Sequence, residues 1–201
     1  MINTTLHTAR TTMTLLREED LPAMEALARE PDTFKYLRKL RIMSPEQYTQ
    51  FLHTKLEQIH TGIGYHWAVW LRQDSTSHPI VDAIPTINSP GAFIGAVNLN
   101  PIKISGSSGT SEVPARMQIG CQLKRAFWGQ GFASELTARL LHFAIYELNL
   151  SAIYGVFEMN NQVSRRLLEK LGFVFEERLE EQEPIAEVHK YLRDPGPHLT
   201  S

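Results

Sequence analysis

The chain has 201 residues and a mass of 22.9 kDa, a length that suits one well-buried domain and is short for two. Hydrophobic residues at 42% against 21% charged exclude a disordered or collagen-like chain. Twenty Lys+Arg against twenty-two Asp+Glu leave a formal net charge of −2, so the basic excess that binding to a phosphate backbone requires is missing and nucleic acid is not the expected partner. A single cysteine, Cys121, rules out an internal disulfide and a cysteine-rich zinc site. The first thirty residues lack the apolar core of a signal peptide, and no run approaches the ~20 apolar residues of a membrane span. A soluble, cytoplasmic protein is expected.

Residues 11–17 read as a strand, and Asp20 then caps a helix with Pro22 in its first turn and Leu21, Met24, Leu27 and Ala28 on one face. Ser44-Pro45-Glu46-Gln47 is a capping box with proline at the first helical position. Tyr48, Phe51, Leu52, Leu56 and Ile59 follow at helical spacing until Gly62. Residues 66–71 and 92–99 are short, aromatic and apolar, and predict two strands. Between them, residues 73–91 are too polar and proline-broken for core, and residues 103–115 carry a Ser/Gly run with almost nothing to bury; both predict loose hairpin tips.

Met117, Ile119, Cys121 and Leu123 alternate with Gln118, Gln122 and Lys124, the period of a half-buried strand. Gly120 within it predicts a bulge or a close approach to the backbone. Phe132, Leu136, Leu140, Phe143, Ala144 and Leu148 mark one face of a long helix, and residues 152–157 form an apolar strand suited to the centre of a sheet. Asn160 or Asn161 caps a further helix whose Val163, Leu167, Leu168 and Leu171 face inward and which Gly172 stops. Residues 173–175 and 188–192 supply two last strands, and Pro195 begins a frayed tail. The order predicts a mixed α/β fold with one parallel crossover around the long helix.

The chemistry concentrates where the strand ending at Leu123 turns into that long helix. Gly129, Gly131 and Ala133 alternate there, so backbone N–H groups of Gly129, Gln130, Gly131, Phe132, Ala133 and Ser134 converge on a helix N-terminus, a nest suited to phosphate or pyrophosphate. The same spacing also serves a plain strand-to-helix turn. Gly129-x-Gly131-x-x-Ser134 imitates a dinucleotide fingerprint, but five residues separate the strand from the first glycine and more than a hundred precede it. No Gly-Lys-Ser/Thr follows, which removes a Walker loop.

At these residues the sequence resembles the GNAT N-acetyltransferases, particularly the RimJ/RimL-like branch that acetylates protein N-termini. The family's acetyl-CoA motif runs Gln or Arg, two residues, Gly, one residue, then Gly or Ala. Gly131 and Ala133 match it, while Trp128 stands in the Gln/Arg place. A second match is Asn161-Gln162-Val163-Ser164, followed by a helix that ends Glu169-Lys170-Leu171-Gly172-Phe173. The resemblance spans about residues 11–193. It implies one GNAT-like domain over residues 1–201, a central mostly antiparallel sheet splayed between the fourth and fifth predicted strands, and about four flanking helices. Acetyl-CoA would lie in that splay as co-substrate, with no metal. Its pyrophosphate would rest on Gly129 to Ser134, and its pantetheine arm on the backbone of Cys121, Gln122 and Leu123 and on Asn161. A bulge near Gly120 would free an N–H for the oxyanion.

Acetyl transfer to an amine needs a neutral nucleophile, an oxyanion hole and a proton for the departing thiolate. Many members of the family carry a tyrosine acid on the second-motif helix, but Leu168 stands there, which leaves Ser164 as the candidate hydroxyl. Some relatives place a glutamate base on the fourth strand, where this chain has Gln118 and Gln122. Glu158 and Glu112 are the nearest carboxylates by sequence; each also reads as a surface group. Glu135 reads as a helix-dipole residue, Cys121 as a small buried hydrophobe, and Trp128 as packing beneath the loop. His66 and His189 lie in strands with no ligands at metal spacing.

The acceptor expected from the resemblance is a peptide or protein N-terminal α-amine. Alternatives are a small amine such as an amino sugar, polyamine or antibiotic, and a non-catalytic acyl-CoA-binding module. The acceptor site would be shaped by residues 28–44 and 179–186. The run of Glu176, Glu177, Glu180, Glu181, Glu183 and Glu187 reads either as a solvated face or as an attractor for a cationic amine.

Overall fold

The computed structural model describes residues 4–72, 91–102, 116–180 and 184–193. The expected loops at 73–91 (apart from Gly91) and 103–115, and the tail from Pro195, lie outside the described residues. Among the described residues the strands form one eight-stranded sheet: β1 (Leu6–His7), β2 (Thr11–Leu15), β3 (Tyr65–Leu71), β4 (Phe93–Ile102), β5 (Arg116–Leu123), β6 (Ala152–Glu158), β7 (Val174–Leu179) and β8 (Ala186–Leu192). Their order is β1-β2-β3-β4-β5-β6-β8-β7. Every neighbouring pair is antiparallel except β5 and β6, which are parallel and share a single register pair, Gln118 with Tyr154. The mixed α/β sheet and its parallel crossover are as the sequence predicts.

The helices are α1 (Leu21–Arg29), α2 (Arg38–Arg41), α3 (Pro45–His60), α4 (Phe132–His142) and α5 (Gln162–Lys170). The capping box of α3 forms as expected: Ser44 Oγ accepts from Gln47 N–H at 3.3 Å and Gln47 Oε1 from Ser44 N–H at 2.8 Å. Asp20 behaves differently. Its carboxylate turns back to accept from Arg17 N–H at 2.9 Å, closing the turn before α1, and no side chain caps α1 itself. Two short elements have no sequence signal, the two-residue β1 and the single turn α2. The helix expected to run on through Leu148 changes pitch after His142: a π turn, Phe143–Glu147, carries the Leu148 N–H to Phe143 O at 3.0 Å.

Alternation along the strands splits the interior into two layers. On one face Ile94, Val97, Leu99, Ile119, Leu123, Ile153 and Phe157 pack under Phe132, Leu136, Leu140 of α4 and Leu168 of α5. On the other, Ala68, Trp70, Phe93 and Ala96 pack under Leu21, Met24, Leu27 of α1 and Tyr48, Leu52 of α3. The sheet is therefore covered on both sides where β3 and β4 lie, and β5, which borders the site, is packed from the α4 side.

The β4–β5 pairing is tight at one point. Gly95 stands opposite Leu123 with φ of 156°, and a Cβ there would fall 2.2 Å from Gln122 O and 2.8 Å from Leu123 Cα, both backbone atoms. Gly95→Ala is expected to cost about 1–3 kcal/mol by overpacking, read as a lower midpoint in urea; an unchanged midpoint would mean that the strands separate freely here.

Candidate active site

Beyond the Gln118–Tyr154 pair, β5 and β6 part. Lys124 N–H donates to Ile94 O at 2.9 Å, one residue past the Leu123–Gly95 pair. Since backbone direction alternates along an antiparallel strand, Gln118, Gly120 and Gln122 turn their N–H and C=O groups toward β4. Ile119, Cys121 and Leu123 turn theirs the other way. Ile119 still faces β6, whereas Cys121 and Leu123 face the gap with no backbone partner among the described residues. Unpaired backbone at the wall of a cleft is a binding edge, because it must find a partner from outside the strand.

Two expectations change here. The β4–β5 register is continuous from Gly95–Leu123 to Ile102–Arg116, so Gly120 makes no bulge. It is glycine because Asn98 crowds it: a Cβ would meet Asn98 Oδ1 at 2.7 Å. The N–H groups that face the gap are accordingly those of Cys121 and Leu123 rather than of Gly120, and Gln122 offers the gap no backbone.

The gap ends at the loop before α4. Gly129 and Gly131 take φ of 72° and 83°, left-handed values that disfavour any side chain. Gly131 is the N-cap residue of α4, and no side chain caps that end. The helix therefore presents its first-turn N–H groups and positive dipole end toward the loop. Trp128 does not lie beneath the loop, as expected from sequence. Its ring is 38% exposed under the Arg125 guanidinium at 4.5 Å, and its Nε1–H donates to Leu123 O at 2.8 Å, tying the loop to the end of β5.

Cys121 is half-buried as a residue because its backbone borders the gap, while burial of the thiol pushes its pKa up to about 12, opposed only weakly by the Thr137 hydroxyl beside it. A thiol of that kind is protonated near neutral pH and makes a poor nucleophile.

The opposite wall belongs to β6 and α5. Asn161 caps α5, its Oδ1 accepting from Ser164 N–H at 3.1 Å. Leu168 seats on the bare backbone of Gly155, where a Cβ would fall 2.3 Å from Leu168 Cδ1. Ser164, one turn earlier on the same face of α5, thus lies beside the parting end of β6. Glu158 closes β6 opposite Ala186. It shares a sheet face with Tyr154 and Val156, the α3 side, whereas Ser164 is on the α4–α5 side. The structure therefore sets these two candidates on opposite faces at one end of one strand. Glu112 lies outside the described residues.

A cavity of about 440 Å³ opens between α1 and α3, lined among others by Glu25, Glu30, Asp32, Lys35, Arg41 and Tyr48. It coincides with much of the 28–44 region expected to shape the acceptor. Glu30 Oε2 accepts from Arg125 N–H at 3.1 Å, which joins the rim of the cavity to the glycine loop. The acidic run elsewhere is largely matched by the chain's own cations: Glu176 pairs with Lys190 at 3.4 Å, Glu177 with Arg116 at 3.5 Å, and buried Glu187 with Arg165 at 2.7 Å. Glu181 and Glu183 lie outside the described residues. No group of His, Cys, Asp or Glu among the described residues is arranged to hold a metal ion.

The sequence and the fold of the chain match known proteins. A profile of the acetyltransferase (GNAT) domain covers residues 10–174. The chain belongs to the GNAT acetyltransferase family. Members of this family use acetyl-CoA as co-substrate. Among curated relatives, it is 26% identical over 168 residues to an FsC-acetyl coenzyme A-N(2)-transacetylase of Aspergillus fumigatus, covering 84% of this chain and 64% of that protein. The chain spans between 33% and 66% of the length of the curated relatives it matches.

Two solved structures share the fold. RimL, a ribosomal L7/L12 α-N-protein acetyltransferase determined with coenzyme A, aligns at a TM-score of 0.66 and 14% identity, over 96% of this chain and 97% of that one. Spermidine N-acetyltransferase from Vibrio cholerae, determined with CoA and spermine, aligns at 0.67 and 20% identity, over 90% and 95%. Among the described residues no helix of this GNAT chain is long and apolar enough to cross a membrane.

On the α3 face, His66 is 9% exposed, and its pKa falls from 6.5 to about 3 through burial, with the Lys55 charge adding to the effect. The unfolded chain takes up this proton near pH 6.5, whereas the folded chain resists it down to about pH 3. Stability from this group is therefore complete above pH 6.5 and is lost as the pH falls below it, by up to about 1.4 kcal/mol per unit. Urea melts of wild type and His66→Gln at pH 7, 6 and 5 should give a shallower decline for the variant; parallel declines would place the acid sensitivity elsewhere.

Proposed function

We propose that this chain transfers the acetyl group of acetyl-CoA directly to a primary amine, and that the acceptor is the α-amine of a peptide or protein N-terminus. The observation that carries the reading is the gap between β5 and β6, where the gap-facing backbone of Cys121 and the N–H of Leu123, whose carbonyl is already taken by Trp128 Nε1–H, run into the glycine-bracketed N-terminus of α4. An elongated ligand with amides along its arm and a pyrophosphate at one end fits that sequence of partners. On this reading Gly129, Gln130, Gly131, Phe132, Ala133 and Ser134 hold the pyrophosphate, and Cys121 and Leu123 pair with the arm. The side chain of Asn161, capping α5 through its oxygen, retains its amide N–H donors for the arm.

A protonated Cys121 thiol supports direct attack over an acyl-enzyme. The amine lone pair adds to the thioester carbonyl, and a gap-facing N–H of β5 receives the developing oxyanion. The C–S bond then breaks, and the thiolate takes a proton. Ser164 is the hydroxyl placed to deliver it on the α5 side. Glu158 is the described carboxylate on the α3 side, where the amine would enter. An α-amine has an ordinary pKa of about 7.7–8.0 and is partly neutral without help, so the absence of a glutamate on β5 does not stop the reaction.

The cavity beside the glycine loop favours a peptide over a polyamine. Its carboxylates Glu25, Glu30 and Asp32 are balanced by Arg29, Lys35 and Arg41. A ligand with several positive charges calls for an acidic excess, whereas one terminal amine followed by neutral backbone does not.

Acetyl-CoA is expected to raise the melting temperature, because a ligand that binds only the folded state stabilises it. Gly131→Val should abolish the rise, since a branched residue resists a φ of 83°. No rise in wild type at millimolar acetyl-CoA would sink the cofactor assignment. With turnover read by mass spectrometry, N-terminal peptides should outperform spermidine and aminoglycosides; a small amine faster than every peptide would overturn the acceptor, and no turnover at all would favour a binding module.

Ser164→Ala should lower kcat by roughly 10²–10⁴ while CoA binding is kept, the span for a positioned acid or base. Glu158→Gln should lose less. With no dedicated base, the apparent pKa of the rate should follow the acceptor amine; a fixed pKa that disappears in Glu158→Gln would make Glu158 the base.

A further inference from the structure

The N-terminal hairpin reaches the glycine loop through one side chain. Arg10, in the turn between β1 and β2, donates from its backbone N–H to Glu135 Oε1 at 3.0 Å and from Nε to Glu135 Oε2 at 2.8 Å, with its NH2 group 2.7 Å from the same oxygen. Its NH1 group donates to Gln130 O at 3.0 Å. The guanidinium lies 3.8 Å above the Phe132 ring, and a Cβ on Gly131 would sit 3.6 Å from its NH2 group. One residue thus grips the loop before α4, its N-cap surroundings and its first turn, across 125 positions of sequence.

The turn that carries Arg10 is itself tied down. Thr8 Oγ1 lies 2.6 Å from Thr11 Oγ1 and accepts from Thr11 N–H at 3.0 Å, and Arg10 O accepts from Arg72 N–H at 2.9 Å. The guanidinium is therefore presented from a fixed frame.

Two consequences follow from elementary chemistry. A trans peptide is planar, so holding the Gln130 carbonyl toward Arg10 sends the Gly131 N–H in the opposite direction. That N–H belongs to the nest assigned above to the pyrophosphate. Glu135, in the first turn of α4, would otherwise place a full negative charge beside the same site and repel an anion. Burial raises its pKa, but hydrogen bonds from Thr8 and Arg10 and the Arg10 charge outweigh this and keep the carboxyl ionised, so the repulsion is cancelled by the guanidinium rather than by protonation.

We propose that Arg10 is a positioning residue for the phosphate-binding loop: it orients the Gln130–Gly131 peptide and neutralises Glu135, so that the N-terminus of α4 accepts the pyrophosphate of acetyl-CoA. The proposal rests on the acetyl-CoA reading of the site. A lysine would retain the charge, yet its single ammonium cannot hold a carboxylate with two nitrogens and a carbonyl with a third.

The test compares two competitive inhibitors, CoA and pantetheine, which share the thiol arm and differ in the pyrophosphate and nucleotide. In Arg10→Gln the inhibition constant of CoA should rise roughly tenfold or more, the scale of losing a positioned charged hydrogen-bond set, while that of pantetheine stays within about twofold and kcat at saturating acetyl-CoA within about threefold. Arg10→Lys should fall between wild type and Arg10→Gln, and it carries the comparison if Arg10→Gln does not fold. Equal changes for the two inhibitors would mean that Arg10 only stabilises the fold; no change for CoA would remove it from the loop. Either result overturns the proposal without touching the acetyltransferase reading, which fails instead if wild type neither binds CoA nor consumes acetyl-CoA.

Discussion

The structure turns on a sheet that is not allowed to close. β5 and β6 are parallel, joined by the long crossover through α4, and they meet at one register pair before diverging. Every other neighbouring pair of strands shares at least two register positions, which bring backbone groups into pairing. At Cys121 and at the Leu123 N–H they face a gap, and buried unpaired backbone is costly unless water or a ligand satisfies it. The parting is maintained from both sides. On one wall, β5 is locked to β4 in continuous register, with Gly95 and Gly120 admitting the close approach of Gln122 O and Asn98. On the other, β6 is paired along its whole length with β8 and held by Leu168 of α5 against Gly155. Each wall has its own partner strand on the far side, β4 for β5 and β8 for β6, so the register of neither depends on the gap closing.

Local patterns made much of this legible in the sequence. The Ser44–Gln47 capping box, the period-two alternation ending at Leu123 and the Gly129/Gly131 spacing before an apolar helical stripe each depend on residues a few positions apart, and each forms as read. Asn161 is likewise legible as a cap because its partner, Ser164, is three residues away. What escaped reading depends on distant partners, or on which of several near partners a side chain takes. Gly120 reads as either a bulge or a close approach, and only Asn98 placed against it decides for the second. Trp128 looks like core until its Nε1–H is seen on Leu123 O. Asp20 looks like the cap of α1, but its carboxylate is drawn to Arg17 N–H instead. Arg10 and Glu30 carry no local signal whatever, since an arginine in a turn and a glutamate after a helix are ordinary until the fold brings them to Glu135 and Arg125.

Charge follows the same division. The glutamate-rich stretch near the C-terminus reads from sequence either as a solvated face or as an attractor for a cationic amine. In the fold, Glu176, Glu177 and Glu187 are engaged by Lys190, Arg116 and Arg165. The Glu187–Arg165 pair matters beyond its own burial, because Arg165 sits on the first turns of α5 next to Ser164. A carboxylate with 2% of its side chain exposed must keep its cation, and so the pair ties the first turns of α5 to β8. Composition reports how many charges there are; only the topology says which are already spent on the chain itself.

The two faces of the sheet give the proposed chemistry its direction. A thioester lying in the gap would be flanked by β5 on one side and by β6 on the other, with its carbonyl exposed through the plane of the sheet. The cavity of α1 and α3, Glu158, Gln118 and Gln122 are all on one face, whereas α4, α5 and Ser164 are on the opposite one. On the proposed reading, an amine arriving from the α3 side would attack the face of the carbonyl turned away from α5, and the thiolate would be protonated from the Ser164 side. Attack and departure then occur on opposite sides of the carbonyl carbon, with the proton lost on one face and another supplied on the other. No single side chain has to serve as both base and acid in that arrangement. On the proposed reading a strong base on the α3 face is not needed: the required group is the donor to sulfur, while an α-amine can deliver its own proton to water.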